Sequence, residues 1–469
     1  MATIPRDLGS PFNPDDPIDR AEFEGFAADV PNTRTMIQAV QTPPAIPNAN
    51  SVRAHKLFHP NFIALLQDLP NDADFPTPDE VVADVILSRS GRRRDADIFP
   101  PNDPNANNGI RVWSFRDDED LLPDRWPAPT IRVREGDIVH TRMSNSHGPH
   151  SIHHHGIEPT PVNDGVGHLT MEIGGPHDAE DGGGEYLYQW KAAEAGTYFY
   201  HCHRNTVLHF ELGMYGPLIV DALEPPGETE LVAPYADGGP GYTLLENAPT
   251  RYDKETFWVV DDIDLRWHGV EGDNIDKDFG IQALDAPGGE FTGGWQNIPV
   301  GGLNDFNPSF FVVTGVTIGE DGVIEQPTQA QMDRNDSLGA LYEFVRPTIA
   351  PGEKLLIRAL NASYCTTVWR FPTSIDGWVT AVDARTLGRD SAANPKHRFG
   401  KYSQAFRLSD LPLVDGHRQF TLMTAQRWDI LIDQGSATTH QVLVEFRHWL
   451  NYELVLHTAI LPVTVGQTG

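Results

Sequence analysis

The chain has 469 residues, which at roughly 100–200 residues per domain predicts two to four domains. Lys and Arg total 35 against 66 Asp and Glu, a formal net charge of −31. That balance excludes the basic footprint a nucleic acid or an anionic lipid surface needs, so neither is expected as a partner. No apolar run approaches ~20 residues, so no membrane helix is expected. The two cysteines, Cys202 and Cys365, exclude a disulfide framework.

The 42 glycines and 38 prolines break the chain into short apolar runs, the texture of an all-β protein. Residues 1–79 read as an irregular arm rich in Pro, Asp and Asn, with one weak helical stretch at Ala54–Gln67 that Pro60 interrupts. A first β-rich region covers residues 80–222. It opens on the run Val81–Leu87. Ile110–Phe115 alternates with period two, as a half-buried strand does. Pro129–Val139 reads as strand, Glu-Gly-Asp turn and strand. Gly196–Tyr200 and Gly216–Val220 close the region.

Residues 223–241 form a linker with a Pro-Pro-Gly and a Gly-Gly-Pro-Gly segment. A second β-rich region, 242–469, has strands at Phe257–Val260, Lys354–Leu360, Trp428–Ile432 and Gln441–Phe446. A Gly-rich insertion from about Gly269 to Gly302 reads as a long surface loop. No long amphipathic helix is expected anywhere.

The chemistry concentrates in the first region. Eleven of the 19 histidines lie between His140 and His209, around the lone Cys202. Two segments stand out, His150-Ser-Ile-His153-His154-His155 and His201-Cys202-His203 with His209 and Met214 downstream. Side chains on a strand alternate faces. Parity therefore assembles His150, Cys202, His209 and Met214 on one side, and His153, His155, His201 and His203 on the other. The first set is two imidazoles, a thiolate and a thioether, the donor set of a blue-copper centre. The second is all imidazole and suits a copper ion that must also meet oxygen ligands. His154 faces away from its neighbours and reads as structural. His168 and His177 read as solvated loop residues, His268 as a core or loop residue, and Cys365 as a buried apolar thiol.

The two segments resemble the HxxHxH and HCH motifs of the multicopper oxidases, which have the cupredoxin fold. Asp164-Gly165 resembles an Asp-Gly of that family beside its oxygen-binding cluster. Ile357–Ala362 and Ala425–Leu431 look like backbone landmarks of a copper-free cupredoxin domain. The resemblance implies two cupredoxin-like Greek-key β-sandwiches behind the N-terminal arm, the first binding copper and the second poor in ligands. It implies a laccase-like copper oxidase. A small reducing substrate would give single electrons to type 1 copper at an exposed edge of His209. They would pass through Cys202 to type 2/type 3 copper that reduces dioxygen. Asp164 would assist catalysis through proton delivery. The resemblance also implies a periplasmic or secreted protein, although the first thirty residues show no signal peptide.

The chain departs from the family pattern in three places. The loop from Cys202 to His209 is longer than in laccases by two residues. The motifs lie in the first sandwich rather than the last. A trinuclear cluster needs eight histidines, and the first region offers four. None of the six later histidines forms an HxH pair, so a homo-oligomer or a partner chain is expected to complete the second site. Two other readings stay open. In a copper nitrite reductase-like enzyme, His155 and His201 would hold type 2 copper. His153 and His203 stand where that family has other residues, which favours the oxidase pattern. In a non-catalytic electron-transfer or copper-handling protein, only the type 1 set would work.

Overall fold

The computed structural model describes residues 84–96, 110–119, 125–144, 150–157, 163–166, 185–192, 194–203, 206–225, 238–246, 248–268, 306–334, 337–387 and 404–466. The N-terminal arm, its helical stretch, the Gly-rich insertion, His168, His177 and the middle of the linker lie outside them. Among the described residues the fold is all-β, and no helix is long and apolar enough to cross a membrane.

Eight strands build the first sandwich. They are β1 (Val85–Ala96), β2 (Ile110–Asp117), β3 (Ile131–Arg134), β4 (Ile138–Ser144), β5 (His153–His155), β6 (Glu185–Lys191), β7 (Gly196–His201) and β8 (Tyr215–Asp221). One sheet runs β2-β1-β4-β6 and the other β3-β8-β7-β5. The pairs β1/β4 and β3/β8 run parallel beside antiparallel neighbours, so both sheets are mixed. A short helix, α1 (Thr206–Glu211), interrupts the connection from β7 to β8. The second sandwich pairs a sheet centred on Lys254–Ile263, Leu355–Asn361 and Arg427–Gly435 with one centred on Thr366–Pro372, Thr439–Arg447 and Val455–Val465. Its core gathers Trp258, Trp369, Ile430 and Val444.

β2 departs from its expected half-burial. Trp113 and Phe115 face the first core, while Ile110 and Val112 face a second apolar layer shared with Phe257, Val259 and Leu360 of the second sandwich. The outer face of a period-two strand is thus covered by the neighbouring sandwich rather than by water. β7 behaves alike, with Tyr198 and Tyr200 inward and Phe199 in the shared layer.

Below this layer a buried ion network ties the sandwiches together. Arg132 of β3 pairs with Asp221 at 2.7 Å and with Glu255 of the second sandwich. Arg358 meets Glu255 at 3.0 Å and Asp429 at 3.5 Å, and donates to Thr197 of β7 at 3.1 Å. Burial pushes the Glu255 carboxyl up, but Arg132 and Arg358 outweigh it and hold the group below the usual carboxylate range. Removing one partner of such a network leaves charges uncompensated in the interior. Glu255→Ala is therefore expected to cost about 3–5 kcal/mol, read from the urea unfolding midpoint. Arg251 is 48% exposed and meets Asp253 only at 3.9 Å, so Arg251→Ala should cost at most about 1 kcal/mol. Equal midpoint shifts for the two variants would contradict this account.

Candidate metal centres

The strand register creates both clusters. β5 and β7 pair antiparallel with His153 opposite His201, His154 opposite Tyr200 and His155 opposite Phe199. His201 shares the face of Phe199, towards the second sandwich, and His153 and His155 share that side. Cys202 has the parity of Tyr200 and joins the core of the first sandwich. The strand ends at His201, so Cys202 and His203 lie just beyond it, and His209 sits on α1 rather than on a strand or an irregular loop.

In the first cluster His150, Cys202 and His209 are fully buried. The two Nδ1 atoms lie 3.1 Å apart, and Cys202 Sγ lies 3.1 Å from His209 Nδ1 and 3.5 Å from His150 Nδ1. Such edges are what ligands at metal–nitrogen and metal–sulfur lengths of about 2.0–2.3 Å subtend. The donors fit a soft metal ion, since two imidazole nitrogens and a sulfur converge with no carboxylate among them. Trp113 packs edge-on to both rings, with centroids 5.5 Å from His150 and 4.9 Å from His209. Met214 is also fully buried. Its N–H donates to the His209 carbonyl at 2.9 Å, and its carbonyl accepts from Cys202 N–H at 3.0 Å. Those two bonds close the longer loop around the cluster.

One expectation is overturned here. An exposed edge of His209 was anticipated, but the ring is fully buried. α1 turns Val207 outward, 45% exposed, and rotates His209 inward beneath Trp113.

The second cluster lies on the outer face of the same strands. Ligand atoms of His153, His155 and His201 converge, and His155 Nδ1 stands 3.2 Å from His201 Nε2. His201 Nδ1 donates to the Cys202 carbonyl at 2.8 Å, which leaves Nε2 as its free lone pair. His153 Nδ1 faces the Asp164 carbonyl oxygen at 2.5 Å and the Asp164 carboxylate at 3.2 Å. Asp164 is held there by Gly165, whose φ is +74° and whose Cβ, if present, would stand 1.9 Å from the Ile152 carbonyl oxygen. Ser151 Oγ ties down the Gly165 carbonyl at 2.5 Å. His203 stands at the edge, its ring 5.1 Å from that of His153 and 5.8 Å from that of His201.

Burial depresses the basicity of His155, His201 and His203. His155 is lowered to about 2 by burial, then by Arg427 and the neighbouring histidines. His201 falls to about 3 by burial and His153, against its bond to the Cys202 carbonyl. Neutral imidazole is the metal-binding form.

His154 points into the core against Trp190, as a structural residue should, and neither ring nitrogen has a partner among the described residues. His268 is buried with Nε2 3.5 Å from Glu211 Oε1. Cys365 is buried, but not in purely apolar surroundings. Its N–H donates to Asp262, and burial with that carboxylate pushes its thiol up. The described histidines of the second sandwich stay away from the clusters. His440 bonds Ser374, and His457 stacks on Phe311.

The sequence reading missed the far wall of the second cluster. A cavity of about 780 Å³ separates it from Val382, Asp383, Arg385, Gln426 and Arg427 of the second sandwich. Arg427 lay within a recognised landmark, but no local signal places it beside His155.

The depressed imidazoles give a measurable sign. Their folded-state values lie below the unfolded value near 6.5, so they weaken the metal-free fold as pH falls below it. NMR of the metal-free chain is expected to show the His155 and His201 rings neutral down to pH ~5. A ring titrating near 6.5 would contradict this geometry.

The comparisons bear on the same region. Residues 121–225 match the family model described as multicopper oxidase. Copper resistance protein A of Pseudomonas syringae pv. tomato is 41% identical over 100 residues, 21% of this chain and 15% of that protein. L-ascorbate oxidase of Nicotiana tabacum is 32% identical over 164 residues, 34% of this chain and 26% of that protein. The matched stretches thus span well under two thirds of these relatives. The solved blue copper oxidase from Nitrosomonas europaea superposes with a TM-score of 0.47 at 17% identity, over 81% of this chain and 86% of that one. Residues 121–225, which hold every ligand candidate of both clusters, are the part of the chain that matches the multicopper oxidase model.

Proposed function

We propose that this chain is a laccase-like copper oxidoreductase, which takes single electrons from a small reducing substrate and passes them to dioxygen. The observation that carries the reading is the pair of clusters joined through Cys202. In this reading His150, Cys202 and His209 would hold type 1 copper, with the buried Met214 as a further soft donor. His153, His155 and His201 hold the second copper, with His203 at its edge. Bound copper supplies one-electron redox chemistry at the first set and oxygen activation at the second.

The protein's own groups do the rest. Cys202 is bonded through the main chain to both His201 and His203, which makes the covalent path between the clusters short. The bond from His201 to the Cys202 carbonyl fixes its tautomer and adds a second link. Asp164 orients His153 and lines the cavity, where its carboxylate can hold a proton for oxygen reduction. The buried core around Cys202 excludes water from the thiolate. Because His209 is covered, electrons enter through the packed residues around it rather than by direct contact of the substrate with an imidazole edge.

A partner subunit or a homo-oligomer that completed a trinuclear site would have to deliver its histidines into the cavity beside His153 and His155. Metal analysis, EPR and native mass measurement test this together. One copper at each cluster, with type 1 and type 2 signals and no type 3 absorption band, would favour the nitrite reductase-like reading over the oxidase. A full trinuclear complement confined to an oligomer would support completion by the partner. A type 1 signal alone would overturn the oxidase reading.

Variants test the assignments. Cys202→Ser should abolish the intense visible thiolate–copper band while the second copper stays bound. His155→Ala should keep the band and lower oxygen consumption by about 100-fold or more, since even outer partners of metal ligands are worth 10–100-fold. Asp164→Asn should slow oxygen consumption by about 10–100-fold with copper content unchanged. Full activity in either of the last two variants would remove the corresponding role.

A further inference from the structure

The wall that faces the imidazole cluster bears Arg385 and Arg427. Arg427 is 4% exposed, and its guanidinium is fixed by two main-chain carbonyls. Nε donates to Thr197 on β7 at 3.2 Å, and Nη1 donates to Ala425 at 2.8 Å. The ring of Phe199 lies 5.7 Å below. Nη2 has no hydrogen-bond partner among the described residues. It lies beside Gly156, where an added Cβ would stand only 2.8 Å away. Gly156, at φ +89°, follows His155 directly, so glycine keeps this approach to the cluster open.

The other charged groups on the cavity wall are already engaged. Asp164 meets His153 at 3.2 Å. Asp383 accepts the Arg427 N–H at 3.0 Å and lies 3.6 Å from Nη1. Arg385 approaches Glu194 at 3.8 Å. Among the described lining residues two arginines balance two aspartates, so a cation on the imidazoles adds net positive charge to them. The volume, about 780 Å³, far exceeds that of a water or dioxygen molecule and falls within the usual range of small-molecule pockets. Val382 and Ala425 add apolar lining beside the polar groups.

We propose that this cavity binds a small organic carboxylate, its acid group held by Arg427 Nη2 on one side and by the metal of the His153–His155–His201 cluster on the other. A guanidinium with one free nitrogen is a strong, fixed donor to a carboxylate. A carboxylate oxygen is also a ligand that an open, imidazole-bound metal accepts. The organic body then occupies the space along Val382, Thr424 and Ala425. The proposal rests on copper occupying this cluster, as inferred above.

The test uses the full-length, copper-loaded chain. Benzoate is titrated while EPR follows the type 2 copper signal, with benzamide as the neutral analogue. The expected result is a saturable change with benzoate and none with benzamide. In Arg427→Gln the benzoate affinity should fall by about tenfold or more with copper content unchanged, the loss of one charge-assisted hydrogen bond. Because Arg427 is buried and its replacement can cost the fold, a crystal structure of the loaded wild type with 4-bromobenzoate provides a second measurement. Carboxylate density within hydrogen-bonding distance of Arg427 Nη2 supports the site. Copper present with no benzoate response, an unaffected Arg427→Gln, or bromobenzoate bound elsewhere overturns the carboxylate site alone. Absence of copper from the cluster in the wild type overturns both this proposal and the function on which it rests.

Discussion

The pairing of β5 with β7 is the constraint on which the site depends. With His153 opposite His201, the odd-numbered histidines of both strands face the second sandwich, while His154 and Cys202 turn into the first core. A slip of one residue would exchange the faces and scatter both clusters. The register is secured by what lies behind it. Tyr200 and Tyr198 pack inward, Phe199 packs outward, and Tyr188 donates nothing to solvent but accepts the Ile152 N–H through its hydroxyl at 3.0 Å. The histidine arrangement on these strands is thereby held by the same contacts that hold the fold.

The two clusters lie in different environments because they lie on different faces. The sulfur-containing set is enclosed by apolar side chains and by Trp113, which favours a buried electron-transfer ion. The all-imidazole set lies at the join between sandwiches and opens into a cavity, as a centre that meets small molecules requires. The join itself is rigid. An apolar layer around Phe199, Phe257 and Leu360 covers it, and the Arg132–Glu255–Arg358 network lies close by. Arg427 extends this rigidity into the cavity, since Thr197 and Ala425 lock its guanidinium in one orientation.

The interface also explains why β2 and β7 carry apolar residues on both faces although each pairs antiparallel with its own neighbours. The outer face meets protein, so alternation of polar and apolar residues is not required there. Glu211, Asp261, Asp262 and Asp264 gather at the same join in nearly complete burial, beside the helix that carries His209. Burial and mutual repulsion push Glu211 and Asp261 well above the usual carboxylate range. Part of the large acidic excess of the chain is therefore interior rather than a solvated face.

The sequence by itself determined the all-β class, the main strand positions and the grouping of His150, Cys202 and His209 apart from His153, His155 and His201. Those features are local. Period-two patterning, the spacing His150–His153–His155 and the triplet His201–Cys202–His203 lie within single elements, where side-chain parity follows from backbone geometry. Only the tertiary structure decided the rest. The inward turn of His209 depends on a six-residue helix too short to show an amphipathic pattern. The place of Arg427 beside His155 depends on how one sandwich rests on another, and such contacts between distant segments leave no periodic trace in the chain. The acidic, histidine-rich composition marked where the chemistry lies, while the docking of the second sandwich decided what that chemistry faces.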